Sequence, residues 1–280
     1  MQSPFDTLAK GLIDASLAPW CAVSIQQPVS MDTLYADALV EPRPGAQDAL
    51  SARGLLGRMA MSPCVIEPFA LTPTVVSVDR CMARTSMLRA EREVPFGLWL
   101  ITPGVPSAVI DAWRLVEDPA WGGGVFLAST PRAPRVVVAA ALPRSRDTLL
   151  LRLMGRGLTL RYALEDFEAL PFGAWERGFI PRLLLRVRGE LVRMGAAATN
   201  SEELQMRYQE IVAETDRVMD ALRAEGRAEG RALALRDAVF AMCEVLGVPL
   251  DEARRDAVAK APVGELEAML DALRRTRTLP

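Results

Sequence analysis

Histidine is absent from this 280-residue chain. That absence excludes Ser-His-Asp and Cys-His catalysis, histidine-ligated zinc and histidine pH switching. Lysine is nearly absent too. Lys10 and Lys260 are the only two, and every other basic residue is arginine. Lysine chemistry can therefore come from two positions alone. The four cysteines, Cys21, Cys64, Cys81 and Cys243, form no CxxC unit, which excludes a zinc ribbon or a thioredoxin-like motif. They read as buried thiols in a reducing compartment. No uncharged apolar stretch approaches the length of a membrane span. Residues 1–6 carry neither the basic nor the apolar region of a signal peptide. The expectation is a cytoplasmic protein without membrane contact. A phosphate loop, a dinucleotide fingerprint and a nucleophile–base pair are all missing.

What is present is a well-supplied core. Half of the residues are hydrophobic and the net charge is −2, so the chain can fold and no global field drives it to a polyanion. Its length suits one large domain or two ordinary ones. Ser3-Pro4-Phe5-Asp6 is a helix start with Ser3 as cap, and Leu8, Leu12, Ile13 and Leu17 follow at helical spacing. Alternation over residues 21–26 predicts a strand, residues 33–41 a second, and 64–69 a third. A helix is expected from Thr72-Pro73 to about Glu93, then a buried strand over 96–101. Further α/β structure follows, with a helix over 107–116, short strands at 124–127 and 136–140, and a helix from Asp147. From about Pro181 the pattern is helical. Leu204, Tyr208, Ile211, Val218 and Leu222 fall on one face of a long helix. That helix runs into Glu225-Gly226-Arg227-Ala228-Glu229-Gly230-Arg231, whose two glycines predict a solvent-facing or pliant connector. Short helices over 233–247, 251–260 and 265–275 close the chain.

Two carboxylates stand out. Asp37 lies inside Leu34-Tyr35-Ala36-Asp37-Ala38-Leu39-Val40, and Glu67 inside Cys64-Val65-Ile66-Glu67-Pro68-Phe69. A carboxylate among apolar residues is costly unless it is paired or binds a metal. Two of them on neighbouring strands can share a divalent cation, as phosphodiesterase sites do. The alternative is that Asp37 caps a turn or binds backbone amides while Glu67 faces solvent from an edge strand. Gln26, on the first strand, is placed to point toward Asp37. A second feature lies between Pro119 and Leu164. Arg132, Arg135, Arg144, Arg146, Arg152, Arg156 and Arg161 occur there with a single acid, Asp147. On one face these seven would make a phosphate-binding stripe; otherwise they are a solvated surface balanced by the acidic first fifty residues. Aromatics are sparse in this stretch, which does not favour base stacking on single strands.

The order helix, strand, strand with Asp, strand with Glu, helix, strand resembles the core of the PD-(D/E)XK nuclease superfamily. The Glu-Gly-Arg repeat leading into Gly247-Val248-Pro249-Leu250 and Glu265-Leu266-Glu267-Ala268-Met269-Leu270 is similar to the end of the recombination-promoting nuclease, or transposase-like, family. Leu55-Leu56-Gly57-Arg58, Glu67-Pro68-Phe69, Trp99-Leu100-Ile101-Thr102-Pro103 and Leu153-Met154-Gly155-Arg156-Gly157 add to the resemblance, which covers nearly the whole chain. It implies an α/β fold: an αβββαβ core, a mixed sheet flanked by helices, and a helical C-terminal extension. Residues 1–195 would form the nuclease-like domain, 196–232 a helical connector and 233–280 a small helical domain. It implies a Mg²⁺-dependent endonuclease acting on double-stranded DNA, with Asp37 and Glu67 as metal ligands. Here the chain departs from the family pattern, which needs a lysine two residues after the Glu. Phe69 stands there instead. Lys10 is the one lysine available to replace it, with Gln26 beside the pair. The resemblance therefore implies an impaired or inactive nuclease. The alternative is a non-catalytic scaffold that associates with itself or a protein partner through helices in 200–280.

Overall fold

The structure, a computed structural model, describes residues 4–29, 34–194 and 202–279. The first helix, α1, spans Pro4–Leu17 and buries Phe5, Leu8, Leu12, Ile13 and Leu17. Its expected Ser3 cap lies outside the described residues. β1 (Cys21–Val29) and β2 (Leu34–Pro42) form an antiparallel pair. The chain then makes two short helices, α2 (Gln47–Ser51) and α3 (Gly54–Met59), before β3 (Cys64–Pro68). β3 is buried at all five positions and pairs antiparallel with β2.

α4 (Val75–Arg92) starts one turn later than Thr72-Pro73 suggested, because Thr74 is the cap: its side chain accepts from the Ser77 N–H at 3.2 Å. Thr85, Cys81, Val78 and Leu88 form the buried stripe of this helix. It crosses over to β4 (Gly97–Thr102), which runs parallel to β3. α5 (Ser107–Trp113) and three further strands follow. β5 (Val116–Glu117), β6 (Val125–Leu127) and β7 (Arg135–Val138) complete one mixed sheet of seven strands among the described residues, ordered β1-β2-β3-β4-β7-β6-β5. β7 is parallel to β4, and the remaining pairs are antiparallel.

The face of the sheet carrying Leu39, Val65, Leu98, Leu100, Val136 and Val138 packs with Val78, Cys81 and Leu88 of α4 into one apolar cluster. α1 lies against β1, β2 and β3 and against a later helix, α8 (Ile180–Met194), reached through α6 (Leu149–Arg152) and α7 (Leu158–Glu168). The sequence pattern did not mark α7, and the strand expected over 136–140 ends at Val138, because Ala139–Ala141 form a 3-10 turn.

From Glu202 to Leu246 the chain is one helix, α9, of 45 residues. The separate helix expected over 233–247 is its last third. Gly226 and Gly230 do not interrupt it, since each removes only about 1 kcal/mol of helix propensity and no proline intervenes. The side chains of Leu204, Tyr208 and Ile211 in the expected stripe lie outside the described residues; Val218 is buried. Two compact units, Met1–Asp216 and Arg217–Pro280, divide the chain within this helix. The second contains α10 (Glu252–Lys260) and α11 (Val263–Thr276), with a core of Val239, Cys243, Val258, Leu266, Leu270 and Leu273. No described helix is long and apolar enough to cross a membrane.

Candidate functional site: an acidic pair between two cations

Adjacent antiparallel strands put the two singled-out carboxylates together. β2 and β3 pair Ala38 with Ile66 and Leu39 with Val65. One step further in that register sets Asp37 across from Glu67, on the face where α4 packs. The Asp37 N–H donates to Glu67 Oε1 at 3.4 Å. Glu67 is not a solvent-facing edge residue, because β3 is internal to the sheet and Glu67 is only 2 % exposed.

Each carboxylate has its own cation. Lys10 Nζ, from α1, lies 2.7 Å from Asp37 Oδ1, and the lysine side chain is itself buried. Arg84 Nη2, from α4, lies 3.0 Å from Glu67 Oε2 and also donates to Cys81 Sγ at 3.1 Å. Helical phase explains Arg84. It follows Cys81 by three residues and precedes Leu88 by four, so it shares their inward face. The result is a row of four groups, Lys10–Asp37–Glu67–Arg84, with the two carboxyl groups side by side and a cation at each end. Burial pushes the Glu67 carboxyl up to about 8, and the neighbouring Asp37 carboxylate pushes the same way, more strongly together than Arg84 opposes them. Desolvation also raises the Cys81 thiol, to about 12, with Glu67 adding to it. Cys81 is an inert core thiol rather than a nucleophile.

Gln26 faces Asp37 from the other side. Ile25 pairs with Ala38 and Gln27 with Ala36, which leaves Gln26 across from Asp37. Its φ of 57° puts it in the left-handed region in mid-strand. A non-glycine residue held there stores strain, a feature that clusters at functional sites. Phe69, where the family pattern needs lysine, is partly buried against the apolar cluster under α4.

Magnesium asks for near-octahedral oxygen coordination and uses one or two carboxylates plus waters and phosphate. Here an oxygen of each carboxylate already accepts from a cation. Among the described residues, no group of three or more acidic or thiol side chains could hold a metal ion. This donor set does not fit a resident Mg²⁺.

The seven arginines of residues 119–164 are not gathered into one stripe. Arg144 and Arg152 share Asp166, with Nη–O distances of 2.6 and 2.7 Å. Arg144 also reaches Glu165. Arg152 is 3 % exposed and donates further to Thr148 Oγ1 and the Ser145 carbonyl. Arg146 holds the buried Glu176 with two bonds, at 2.7 and 2.9 Å, and Arg161 pairs with Glu214 at 3.4 Å. Arg156 is half-buried beside Gly157. The balancing acids thus lie just beyond the arginine-rich stretch, not in the first fifty residues. Partial burial acts against the Asp166 charge, but its two guanidinium partners outweigh it and hold the carboxyl below its ordinary value. Arg132 and Arg135 lie elsewhere, at the start of β7, with Arg89 of α4 as their neighbour.

The chain matches no family model, no curated protein and no solved structure.

Proposed function

We propose that this chain is a cytoplasmic nuclease-fold protein of PD-(D/E)XK type whose acidic pair is closed by its own cations, leaving DNA cleavage impaired or absent. The element order supports the nuclease-type core: α1, an antiparallel β1-β2-β3 meander, the α4 crossover, and β4 parallel to β3. The observation that carries the reading is the quartet. Lys10 and Arg84 bring to Asp37 and Glu67 the two positive charges that a divalent ion would otherwise supply. Lys10 stands beside the pair as a replacement for the missing lysine, but it is spent on Asp37, and Arg84 covers Glu67. A positioned transition-state charge is commonly worth about 10²–10³ in rate, so Phe69 at the lysine position fits the same conclusion.

The test is supercoiled DNA with Mg²⁺ or Mn²⁺, using the wild type beside Asp37→Ala and Glu67→Ala. Equal and negligible cutting by all three is expected. Strong cutting by the wild type, abolished in both variants, overturns the impairment.

The second unit favours a companion reading as an interaction scaffold. Residues 217–280 have an apolar core of their own, yet Leu233 and Val245 remain 58 % and 85 % exposed. In this reading the C-terminal helices associate with a second copy or a protein partner. Light scattering on the full chain tests it: a concentration-dependent dimer is expected, abolished by Val245→Glu.

A further inference from the structure

A cluster of arginines lies at the end of the sheet opposite the quartet. Cys64 pairs with Gly97 and Trp99 with Arg135 in the parallel register of β3, β4 and β7. Glu67 lies three residues further along β3, about 10 Å away. At the Gly97 end, Arg89 Nε from the last turn of α4 donates to the Phe96 carbonyl at 2.7 Å. The Arg135 guanidinium lies against the next residue: a Cβ on Gly97 would stand 3.3 Å from Nη1. The missing side chain at position 97 leaves the guanidinium its space. Arg132 sits in the turn just before β7, where the Ala133 N–H bonds the Thr130 carbonyl.

The site is held in place by cation–ring contacts and a tilted pair of indoles. Arg135 Cζ is 5.1 Å from the Trp99 ring centre, Trp99 and Trp121 are 4.9 Å apart, and Arg58 Cζ is 3.9 Å from Trp121. This column of cation, two indoles and cation fixes Arg135 before any ligand arrives. Among the described residues none of the three arginines is in an ion pair, unlike Arg144, Arg146, Arg152 and Arg161. The Arg89 guanidinium, partly desolvated, is lowered further by repulsion from Arg132 and Arg135, with no carboxylate acting on it.

We infer that Arg89, Arg132 and Arg135 form a binding site for a compact, multiply charged phosphate anion of the pyrophosphate class, at the end of the sheet where β4 and β7 begin. Guanidinium forks match phosphate oxygens bidentately. Three clustered cations without acids repel one another until an anion joins them. Arg89 and Arg135 are half-buried and only Arg132 is exposed, so the charge is recessed. A compact anion reaches it more readily than a rigid duplex does. The inference is independent of the nuclease reading, because it uses none of the quartet.

Calorimetric titration of the full chain with inorganic pyrophosphate, at fixed ionic strength, tests it. Saturable single-site binding is expected, weakened about tenfold or more by Arg135→Gln and by Arg132→Glu. Arg132 is exposed, so its replacement keeps the fold and the test interpretable. Arg227→Gln, exposed on α9, should leave binding unchanged. The inference is overturned by an absence of saturable binding, by wild-type affinity in both arginine variants, or by an equal loss in Arg227→Gln. Binding of duplex DNA that pyrophosphate fails to displace also overturns it.

Discussion

Lys10 Nζ meets Asp37 Oδ1 at 2.7 Å with the lysine side chain only 5 % exposed. A buried cation of this kind persists because its carboxylate is there, and removing one partner strands the other. Lys10→Met and Asp37→Asn are each expected to destabilise the fold by about 1–3 kcal/mol. The double variant should lose less than the sum, with a coupling of about 1 kcal/mol or more. Urea unfolding of the four proteins measures it. Strict additivity would show that the pair makes no net contribution.

Glu67 sets the pH dependence of the same site. Its folded carboxyl titrates near 8, above the ordinary 4.5. An acid raised on folding holds a proton that the unfolded chain has released. Its contribution is therefore complete below about pH 4.5 and is lost as pH climbs through 8. The slope across that window is at most about 1.4 kcal/mol per pH unit. Glu67→Gln has no such proton to lose. The difference in unfolding free energy between variant and wild type should shift in the variant's favour from pH 5 to pH 8.5. A constant difference across the series would mean that Glu67 is ionised throughout, held so by Arg84.

The quartet was half legible in the sequence, and the reason is physical. Asp37 and Glu67 stand out because apolar neighbours make a carboxylate conspicuous. Lys10 stands out because it is the single lysine before residue 260. Arg84 did not, since α4 also carries Arg80, Arg89 and Arg92, and arginine on a helix is ordinarily a solvated charge. Its phase with Cys81 and Leu88 was the available signal. The arginine-rich stretch misleads for a different reason. Residues 119–164 hold a single acid, whereas Glu165, Asp166, Glu176 and Glu214, beyond that stretch, pair with its arginines through tertiary contacts. The order of the first elements was legible because each strand is a short apolar run bounded by breakers. The unbroken α9 was less legible, because Gly226 and Gly230 weaken the helical signal where the connector meets residues 233–247.

Arg152 separates structural from surface arginine. It is buried and satisfied by Asp166, Thr148 and the Ser145 carbonyl. Arg152→Ala removes a fork from a closed network and is expected to lose about 3–5 kcal/mol. Arg152→Lys recovers little, because an ammonium cannot reproduce the planar fork. Arg132→Ala, on the surface, should stay within about 0.5 kcal/mol of wild type. Thermal unfolding ranks the three; equal effects of Arg152→Ala and Arg132→Ala would dissolve the distinction.

Glycines in two settings should respond in opposite directions to alanine. Gly54 has a φ of 62°, and a Cβ there would lie 2.3 Å from the Asp147 carbonyl oxygen and 2.6 Å from its Cα. Both the backbone conformation and the contact forbid a side chain, and neither obstacle is a flexible group that can swing aside. Gly54→Ala should destabilise the first unit by about 2 kcal/mol or more, and the α3 turn ahead of β3 shifts with it. Gly226 and Gly230 lie in the exposed middle of α9 with open space around them. Alanine there costs the native state nothing and narrows the unfolded ensemble, so each substitution should stabilise by about 0.5–1 kcal/mol. Hydrogen exchange across α9 reads this directly. Slower exchange around residues 226–230 in the double alanine variant is the expected outcome. Faster exchange there would mean that the helix depends on glycine at those positions for a contact made outside the chain.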